Sequence, residues 1–263
     1  MANAFLVKPL DIVGAQAFST VTKGSAINVA NDYAGVTVGL ACDASPNAAA
    51  LRVDLGADFA FDTIMVFGVT TLPASGTYAV LYSTAAVPGS FSVIATGPAY
   101  AGATARTDGK GVTLVQLSAP IAGRFIQINY YAPAAGQSVE LARVVVGRRF
   151  QPAIGFEYGA QFGVRDLGAL DVSRRGVLLR NRGKKLRTVS LNFPAMTRQE
   201  AEGTAQKVME QVGNTECIGL CTDPAADAEL QNRCYFGPLV GDLGRTWATA
   251  RGHEVRVNLL GLL

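Results

Sequence analysis

The chain has 263 residues, of which 49% are hydrophobic and only 16% charged, with 29 Gly, a single His and a formal net charge of +3. This length suits one large or two medium domains, and the charged fraction is well below the roughly 25% of an average soluble domain. Because His253 is the only histidine, His-ligated metal centres and Ser-His-Asp or Cys-His catalysis have little support. No pair of carboxylates stands out for glycosidase chemistry. We therefore expect a protein that is not an enzyme.

Residues 63–105 carry no charged side chain. Gly and Pro interrupt this stretch before any apolar run reaches the roughly 20 residues that span a bilayer, so we predict no transmembrane helix. Residues 1–11 lack a basic segment followed by an apolar run and a small-residue cleavage site, and we expect no export by a signal peptide.

The amino-terminal half has the pattern of an all-β domain. Short segments rich in β-branched and aromatic residues recur between Gly, Pro, Asn and Ser breaks, as in a β-sandwich or jelly roll. The predicted strands are Thr63–Val69, Thr77–Ser83, Phe91–Ala95, Val112–Leu117, Phe125–Tyr131 and Val139–Val146. In one of them, apolar Ile126 and Ile128 alternate with Gln127 and Asn129, so one face packs while the other meets solvent or a neighbour.

The composition changes near Gly147. Residues 1–147 hold 7 Lys+Arg against 8 Asp+Glu, whereas residues 148–263 hold 16 against 12. We therefore predict two domains, 1–147 and 148–263.

The second half is predicted to be α+β. Leu186–Phe193 alternates as a half-buried strand, and so does the terminal segment around Val255. Between them, the capping-box sequence Thr197–Glu200 opens an amphipathic pattern that Gly213 ends, which predicts a helix of about four turns over residues 197–213. The predicted fold class is mainly β with one amphipathic helix.

The order of the amino-terminal segments resembles a galactose-binding-like (discoidin-type) jelly roll. The matching pieces are Leu51–Gly56, Ile64–Gly68, Tyr78–Ser83, Pro88–Phe91 and Arg124–Ile128. The resemblance implies a β-sandwich over most of residues 30–148.

The carboxyl-terminal half resembles minor tail and distal tail (tail-tip) proteins of long-tailed bacteriophages. The matching pieces are Asp171–Gly176, a basic strand pair ending in Leu191–Phe193, the helix with Glu200 and Ala201, Gly213, Asp223–Pro224, Tyr235–Leu239 and a terminal strand. The resemblance implies a barrel-like domain, carrying the helix, that forms a ring. In such proteins, however, the ring-forming domain usually precedes the sugar-binding-like domain, the reverse of the order here, so a hub or other minor tail protein stays an alternative.

This second resemblance gives the functional expectation. The chain would be a structural part of a virion tail tip, assembled in the host cytoplasm as a homo-oligomeric ring around the tail channel. Its partners would be the tail tube, hub, baseplate and fibre proteins that connect the tail to host attachment, with DNA only passing through. The alternative is a carbohydrate-binding adhesin that recognises a host surface glycan.

Seven basic residues lie close together without an intervening acid: Arg174, Arg175, Arg180, Arg182, Lys184, Lys185 and Arg187. The sequence Asn181–Lys184 predicts a hairpin turn, with the charges at its tip and along its solvent faces. They favour contact with an acidic neighbouring subunit or, less well, with DNA phosphates. The alternative is a solvated hairpin that protects an edge strand.

Two further sets of residues have open interpretations. Cys42, Cys217, Cys221 and Cys234 are expected to be buried free thiols; some tail-tip proteins carry an iron–sulfur cluster on four Cys, which is the alternative. Tyr33, Tyr100, Tyr130 and Tyr131 are candidate platforms for sugar rings or else buried side chains with satisfied hydroxyls. His253 is expected at a surface or interface rather than in catalysis.

Overall fold

The computed structural model describes residues 3–44, 46–102, 110–249 and 252–263. The strands are β1 (Phe5–Val7), β2 (Gly14–Ala17), β3 (Val21–Lys23), β4 (Val38–Ala41), β5 (Ala48–Val69), β6 (Thr77–Ser83), β7 (Ser92–Pro98), β8 (Gly111–Tyr131), β9 (Ser138–Leu141), β10 (Arg143–Gly147), β11 (Arg149–Phe150), β12 (Gln161–Asp166), β13 (Ala169–Val172), β14 (Leu178–Asn181), β15 (Lys185–Met196), β16 (Cys217–Cys221), β17 (Cys234–Pro238), β18 (Arg245–Thr249) and β19 (Gly252–Gly261). The helical segments are two 3₁₀-helices (Ala26–Ala30 and Leu230–Arg233), a π-helix (Gln199–Ala205) and α1 (Gln206–Val212).

The chain forms two compact units. The first comprises Met1–Gln151 and Ile218–Cys234, and the second comprises Pro152–Cys217 and Tyr235–Leu263. The change in composition at Gly147 predicts a boundary between the two halves, but it does not predict that residues 218–234 belong to the first unit. Their place there is held partly by Gln231, a buried side chain whose Oε1 accepts a hydrogen bond from the Val112 amide at 3.1 Å.

The first unit is a β-sandwich. One antiparallel sheet has the order β10–β5–β8–β6–β7, with β2 pairing with β5, and the other has the order β3–β4–β9. The core contains the apolar residues of the two sheets, such as Leu40 of β4, Leu51 of β5, Ile128 of β8 and Val139 of β9, all fully buried. The predicted alternation of Ile126 and Ile128 with Gln127 and Asn129 is confirmed, because only the first pair is buried.

Several predicted strands are parts of longer ones. The segments Val112–Leu117 and Phe125–Tyr131 belong to one strand, β8, of 21 residues, which pairs along its length with β5, of 22 residues. The register shifts between Asp54 and Phe59 and again between Phe61 and Thr63. Such bulges bend a strand without ending it, so a break in the sequence pattern does not mean a turn here.

The second unit contains a four-stranded antiparallel sheet in the order β12–β15–β19–β18. Leu191 and Phe193 of β15 and Val255 and Val257 of β19 are buried, as the alternating pattern predicts. In the described residues the order runs from β12 to β18 as an open sheet, so the expected barrel is not observed.

The helix lies where the sequence predicts it but is not α-helical throughout. The capping box is formed, since the Thr197 amide donates to Glu200 Oε2 at 3.0 Å and the Glu200 amide donates to Thr197 Oγ1 at 3.3 Å. The residues that follow are π-helical before α1 begins. Gly213, with φ of 55°, ends α1.

A β-hairpin formed by β13 and β14 extends the pairing of β12 with β15. Its chain reversal lies at Ser173–Gly176, where the Gly176 amide donates to the Ser173 carbonyl at 2.9 Å. The predicted turn at Asn181–Lys184 is therefore wrong: β14 pairs with β13 and β15 pairs with β12. Residues 173–176 and 181–184 both contain Gly beside Arg. The pairing of the strands determines which of the two segments forms the turn. We call β13, β14 and their turn, residues 169–181, the hairpin arm.

None of the helices among the described residues is long and apolar enough to cross a bilayer. The uncharged stretch forms the end of β5, the whole of β6 and β7 and their connections; its last residues, 103–105, and the following Arg106 lie outside the described residues.

Candidate functional site

The outward face of the larger sheet in the first unit carries a row of polar side chains. Strand register places Gln16 of β2 beside Arg52 of β5, and Arg52 beside Gln127 of β8. Asn129 and Tyr131 continue the same face along β8, because alternate residues of a strand point the same way. We call these five residues the polar face.

Arg52 is held between two aromatic rings. Its guanidinium carbon lies 4.3 Å from the centroid of the Phe18 ring and 4.4 Å from that of the Phe91 ring. Each is a cation–π contact. The two contacts favour one orientation of the guanidinium.

A chain of hydrogen bonds links Arg52 to the amides of β8. Arg52 Nη2 donates to Gln127 Oε1 at 3.2 Å, and Gln127 Nε2 donates to Asn129 Oδ1 at 3.0 Å. Asn129 Nδ2 lies 3.5 Å from Tyr131 Oη. These bonds orient the side chains before any ligand arrives. The cross-strand neighbours of Asn129 are Ala50 and Ala79, whose small side chains leave it little hindered.

A salt bridge lies on the same face, two residues beyond Arg52. Arg124 Nε and Nη2 donate to the two carboxylate oxygens of Asp54 at 2.7 and 2.9 Å. The hydrogen bond from Arg124 lowers the pKa of Asp54. Asp54 thus has a cation of its own, whereas no described carboxylate forms an ion pair with Arg52.

Arg52, Phe18 and Phe91 are functional candidates that sequence reasoning missed. One signal was present: Arg52 is the only Lys or Arg between Lys23 and Arg106, and it stands between the apolar Leu51 and Val53 on an alternating strand. The two phenylalanines come from distant segments, and only the tertiary structure brings them to Arg52.

The structure separates the four candidate tyrosines. Tyr33 is 75% exposed, and Tyr131 lies on the polar face. Tyr130 is fully buried, and its hydroxyl shares a hydrogen bond with Thr113 Oγ1 at 2.9 Å, so it cannot stack on a ligand.

Tyr100 lines a cavity of about 810 Å³ in the first unit, together with Tyr78, Leu72 and Leu114. Its hydroxyl donates to the Leu72 carbonyl at 2.6 Å, and burial raises the pKa of both tyrosines. The cavity is mostly apolar, and this hydroxyl is already engaged.

The seven basic residues do not gather at one tip. Arg174 and Arg175 lie in the turn of the hairpin arm, and the other five extend from β14 into β15: Arg180, Arg182, Lys184, Lys185 and Arg187. Lys184 Nζ donates to the Leu262 carbonyl at 3.1 Å, and the Arg187 guanidinium lies 4.0 Å from the centre of the Tyr235 ring. The remaining five are exposed.

The hairpin arm also exposes three apolar side chains together on one face. Pairing of Val172 with Leu178 and of Leu170 with Arg180 places these three residues, and Arg180, on the same side. Their exposed fractions are 69% for Leu170, 58% for Val172 and 43% for Leu178. Exposed apolar side chains that cluster on one element are typical of a surface covered by another molecule.

All four cysteines are free and buried, as expected. Cys221 shares a hydrogen bond with Cys234, which together with burial raises the pKa of the Cys221 thiol. In the part of the chain that the structure describes, no three or more His, Cys, Asp or Glu side chains are grouped to hold a metal ion. The iron–sulfur alternative therefore gains no support.

His253 is not at the surface. Its side chain is 2% exposed, and its ring centroid lies 4.8 Å from that of Trp247, the neighbour across β18 and β19. His253 is in phase with the buried Val255 and Val257 of β19, so the alternation of the strand places it on the inward side.

No family model matches the chain, and the comparison with curated proteins gave no match. The chain is similar to several solved structures. One is chitosan-binding module 1 of a chitosanase/glucanase from Paenibacillus sp. IK-5, with 14% identity, a TM-score of 0.42 and coverage of 53% of this chain and 98% of that one.

Another similar structure is the family 32 carbohydrate-binding module of NanJ from C. perfringens in complex with galactose, with 18% identity, a TM-score of 0.42 and coverage of 54% and 98%. A third is the lectin-binding domain of Lectinolysin complexed with Lewis b, with 15% identity, a TM-score of 0.40 and coverage of 54% and 96%. At these identities and TM-scores, the likeness does not identify what this chain does.

Proposed function

We propose that the first unit binds carbohydrate through its polar face. The observation that carries the proposal is the hydrogen-bonded row from Arg52 through Gln127 and Asn129 to Tyr131. Binding sites combine apolar surface with a few placed polar groups. Side-chain amides and a guanidinium match the hydroxyl groups of a sugar, and the rings of Phe18 and Tyr131 offer apolar surface beside them.

The fixed geometry supports this function over that of an ordinary solvated sheet face. Arg52 contacts two rings, and the amides of Gln127 and Asn129 are joined by a hydrogen bond, so little side-chain entropy is lost when a ligand binds. From Gln127 to Tyr131 the row extends roughly 13 Å, taking about 3.3 Å per residue of strand. A short oligosaccharide can lie along it.

The test is binding of the full chain to a glycan array, followed by calorimetric titration of the best ligand. Asn129→Ala removes one hydrogen-bonding amide from the middle of the row, and we expect a loss of about five- to tenfold in affinity. Gln206→Ala is the matched control, because it removes an amide from α1 in the second unit. No glycan binding by folded protein, or equal effects of the two variants, would contradict the proposal.

A second function, assembly with other copies, has its own supporting observation, the exposed apolar face of the hairpin arm. The tail-tip resemblance implies a ring in a phage tail, and we retain that as the specific form of this proposal. Packing of the apolar face of one hairpin arm against a different surface of the next copy would give a head-to-tail contact, which closes into a ring where the rotation permits.

Sedimentation velocity of the full chain tests assembly. Leu170→Ser with Leu178→Ser replaces two of the three exposed apolar side chains of this face and is expected to shift the protein to the monomer. Leu179→Ser is the control, because Leu179 pairs with Asp171 on the opposite face of the hairpin arm and is 51% exposed. A monomeric wild-type protein, or dissociation by the control variant as well, would contradict assembly through this face.

A further inference from the structure

The charge of Arg52 is the feature of the polar face that a neutral sugar does not explain. Among the described residues, its one hydrogen bond to a side chain goes to the neutral Oε1 of Gln127. The nearest acid on its own strand, Asp54, is bound at both oxygens by Arg124. In the described residues, Arg52 is therefore a cation without a carboxylate partner.

The surroundings make this unpaired charge more effective. The Arg52 guanidinium lies against two phenylalanine rings, which shield part of it from water. Burial also lowers its pKa, although an arginine stays charged in proteins. An anion that approaches the guanidinium edge loses less of its attraction to solvent screening than at an open surface.

Arg52 is the one Lys or Arg between Lys23 and Arg106 in the sequence. The acids nearest to it in the sequence are Asp43 and Asp54, and both oxygens of Asp54 accept hydrogen bonds from Arg124. Within the polar face, Arg52 is the one member that carries a charge.

From these observations we infer that the polar face is selective for carbohydrates that carry a carboxylate, such as uronic or sialic acids. This inference rests on the carbohydrate binding proposed above. The carboxylate lies at the edge of Arg52, and the hydroxyl groups of the same or the next sugar lie along Gln127, Asn129 and Tyr131. Charge-assisted hydrogen bonds from a guanidinium to a carboxylate are among the stronger polar contacts in proteins.

The test compares acidic saccharides with neutral partners of the same skeleton, using the full chain. Suitable probes are trigalacturonate with its methyl ester, and sialyllactose with its methyl ester. We expect at least one acid to bind about tenfold more tightly than its ester, because the ester removes the charge but keeps the hydroxyl groups. The preference should weaken as salt rises from about 0.05 to about 0.5 M.

Arg52→Gln should abolish the preference, so that the acid and its ester bind this variant with affinities within about twofold of each other. Arg256→Gln is the matched control, since Arg256 is exposed on β19 in the second unit. Arg52→Lys retains a charge without the planar fork and should keep part of the preference. If Arg52→Gln does not fold, the salt dependence and Arg52→Lys decide the question.

The outcomes separate the two proposals. Equal binding of acids and esters overturns the selectivity but leaves carbohydrate binding intact, and so does a preference that survives in Arg52→Gln. Binding of neither acids nor esters overturns both.

Discussion

The polar face of the first unit and the hairpin arm of the second are both exposed β-structure, but they expose opposite chemistry. On the polar face, side chains are joined by hydrogen bonds and cation–π contacts, and the apolar residues of the same strands face the core. On the hairpin arm, Leu170, Val172 and Leu178 face outward. A hydrogen-bonded polar surface suits a small polar ligand, whereas an apolar strand pair suits another protein.

The largest expected effect is on the free energy of unfolding, when Leu is replaced by Ala in the core beneath the polar face and, for comparison, on the hairpin arm. Leu51→Ala opens a cavity in the sandwich core, where Leu51 is fully buried, and should lower the free energy of unfolding by about 2–5 kcal/mol. Leu170→Ala removes a side chain that is 69% exposed and should change the free energy of unfolding of the monomer by less than about 0.5 kcal/mol.

Urea unfolding followed by circular dichroism, at a concentration where the chain is monomeric, measures both variants. Similar losses would mean that Leu170 is packed within its own chain. The contrast between the two regions would then disappear.

A smaller, pH-dependent effect is expected at the edge of the polar face. Arg124 lowers the pKa of Asp54 in the folded protein. The pair therefore stabilises the fold above the ordinary pKa of an aspartate, about 3.9, and this contribution is lost as the pH falls through the lower folded pKa. Asp54→Asn should destabilise the protein at pH 7 and have little effect at pH 2.

Thermal unfolding across this pH range checks the prediction. Asp11→Asn, which changes an exposed aspartate outside the pair, is the control. A penalty for Asp54→Asn that does not depend on pH would show that the carboxylate charge is not what stabilises the pair.

The sequence predicts those features that depend on local alternation. Strand β6 has the predicted bounds, and the inward and outward sides of Ile126–Tyr130 are correct, because burial of one strand face follows a period of two. The capping box at Thr197 is also formed as predicted, since its hydrogen bonds join residues three positions apart. The long strands β5 and β8 escaped prediction because bulges let them bend without ending.

The candidate site was less predictable than the fold. The sequence marks Gln127 and Asn129 as outward-facing, but it does not show that register brings Arg52 beside Gln127 or that Phe18 and Phe91 enclose the guanidinium. The hairpin arm shows the same limit. The sequence shows the cluster of basic residues, but it does not show whether the chain turns at Ser173–Gly176 or at Asn181–Lys184. That choice, which sets the position of the apolar face, depends on which strands pair.

The most direct test of carbohydrate binding is an NMR titration of the full 27.5 kDa chain, labelled with ¹⁵N. The oligosaccharide that binds best is added stepwise while the amide signals of the protein are recorded. We predict that the side-chain amide signals of Gln127 and Asn129 shift most, and that the signals of the hairpin arm remain unchanged. No shift at saturating sugar, or shifts confined to the cavity beside Tyr78 and Tyr100, would contradict binding at the polar face.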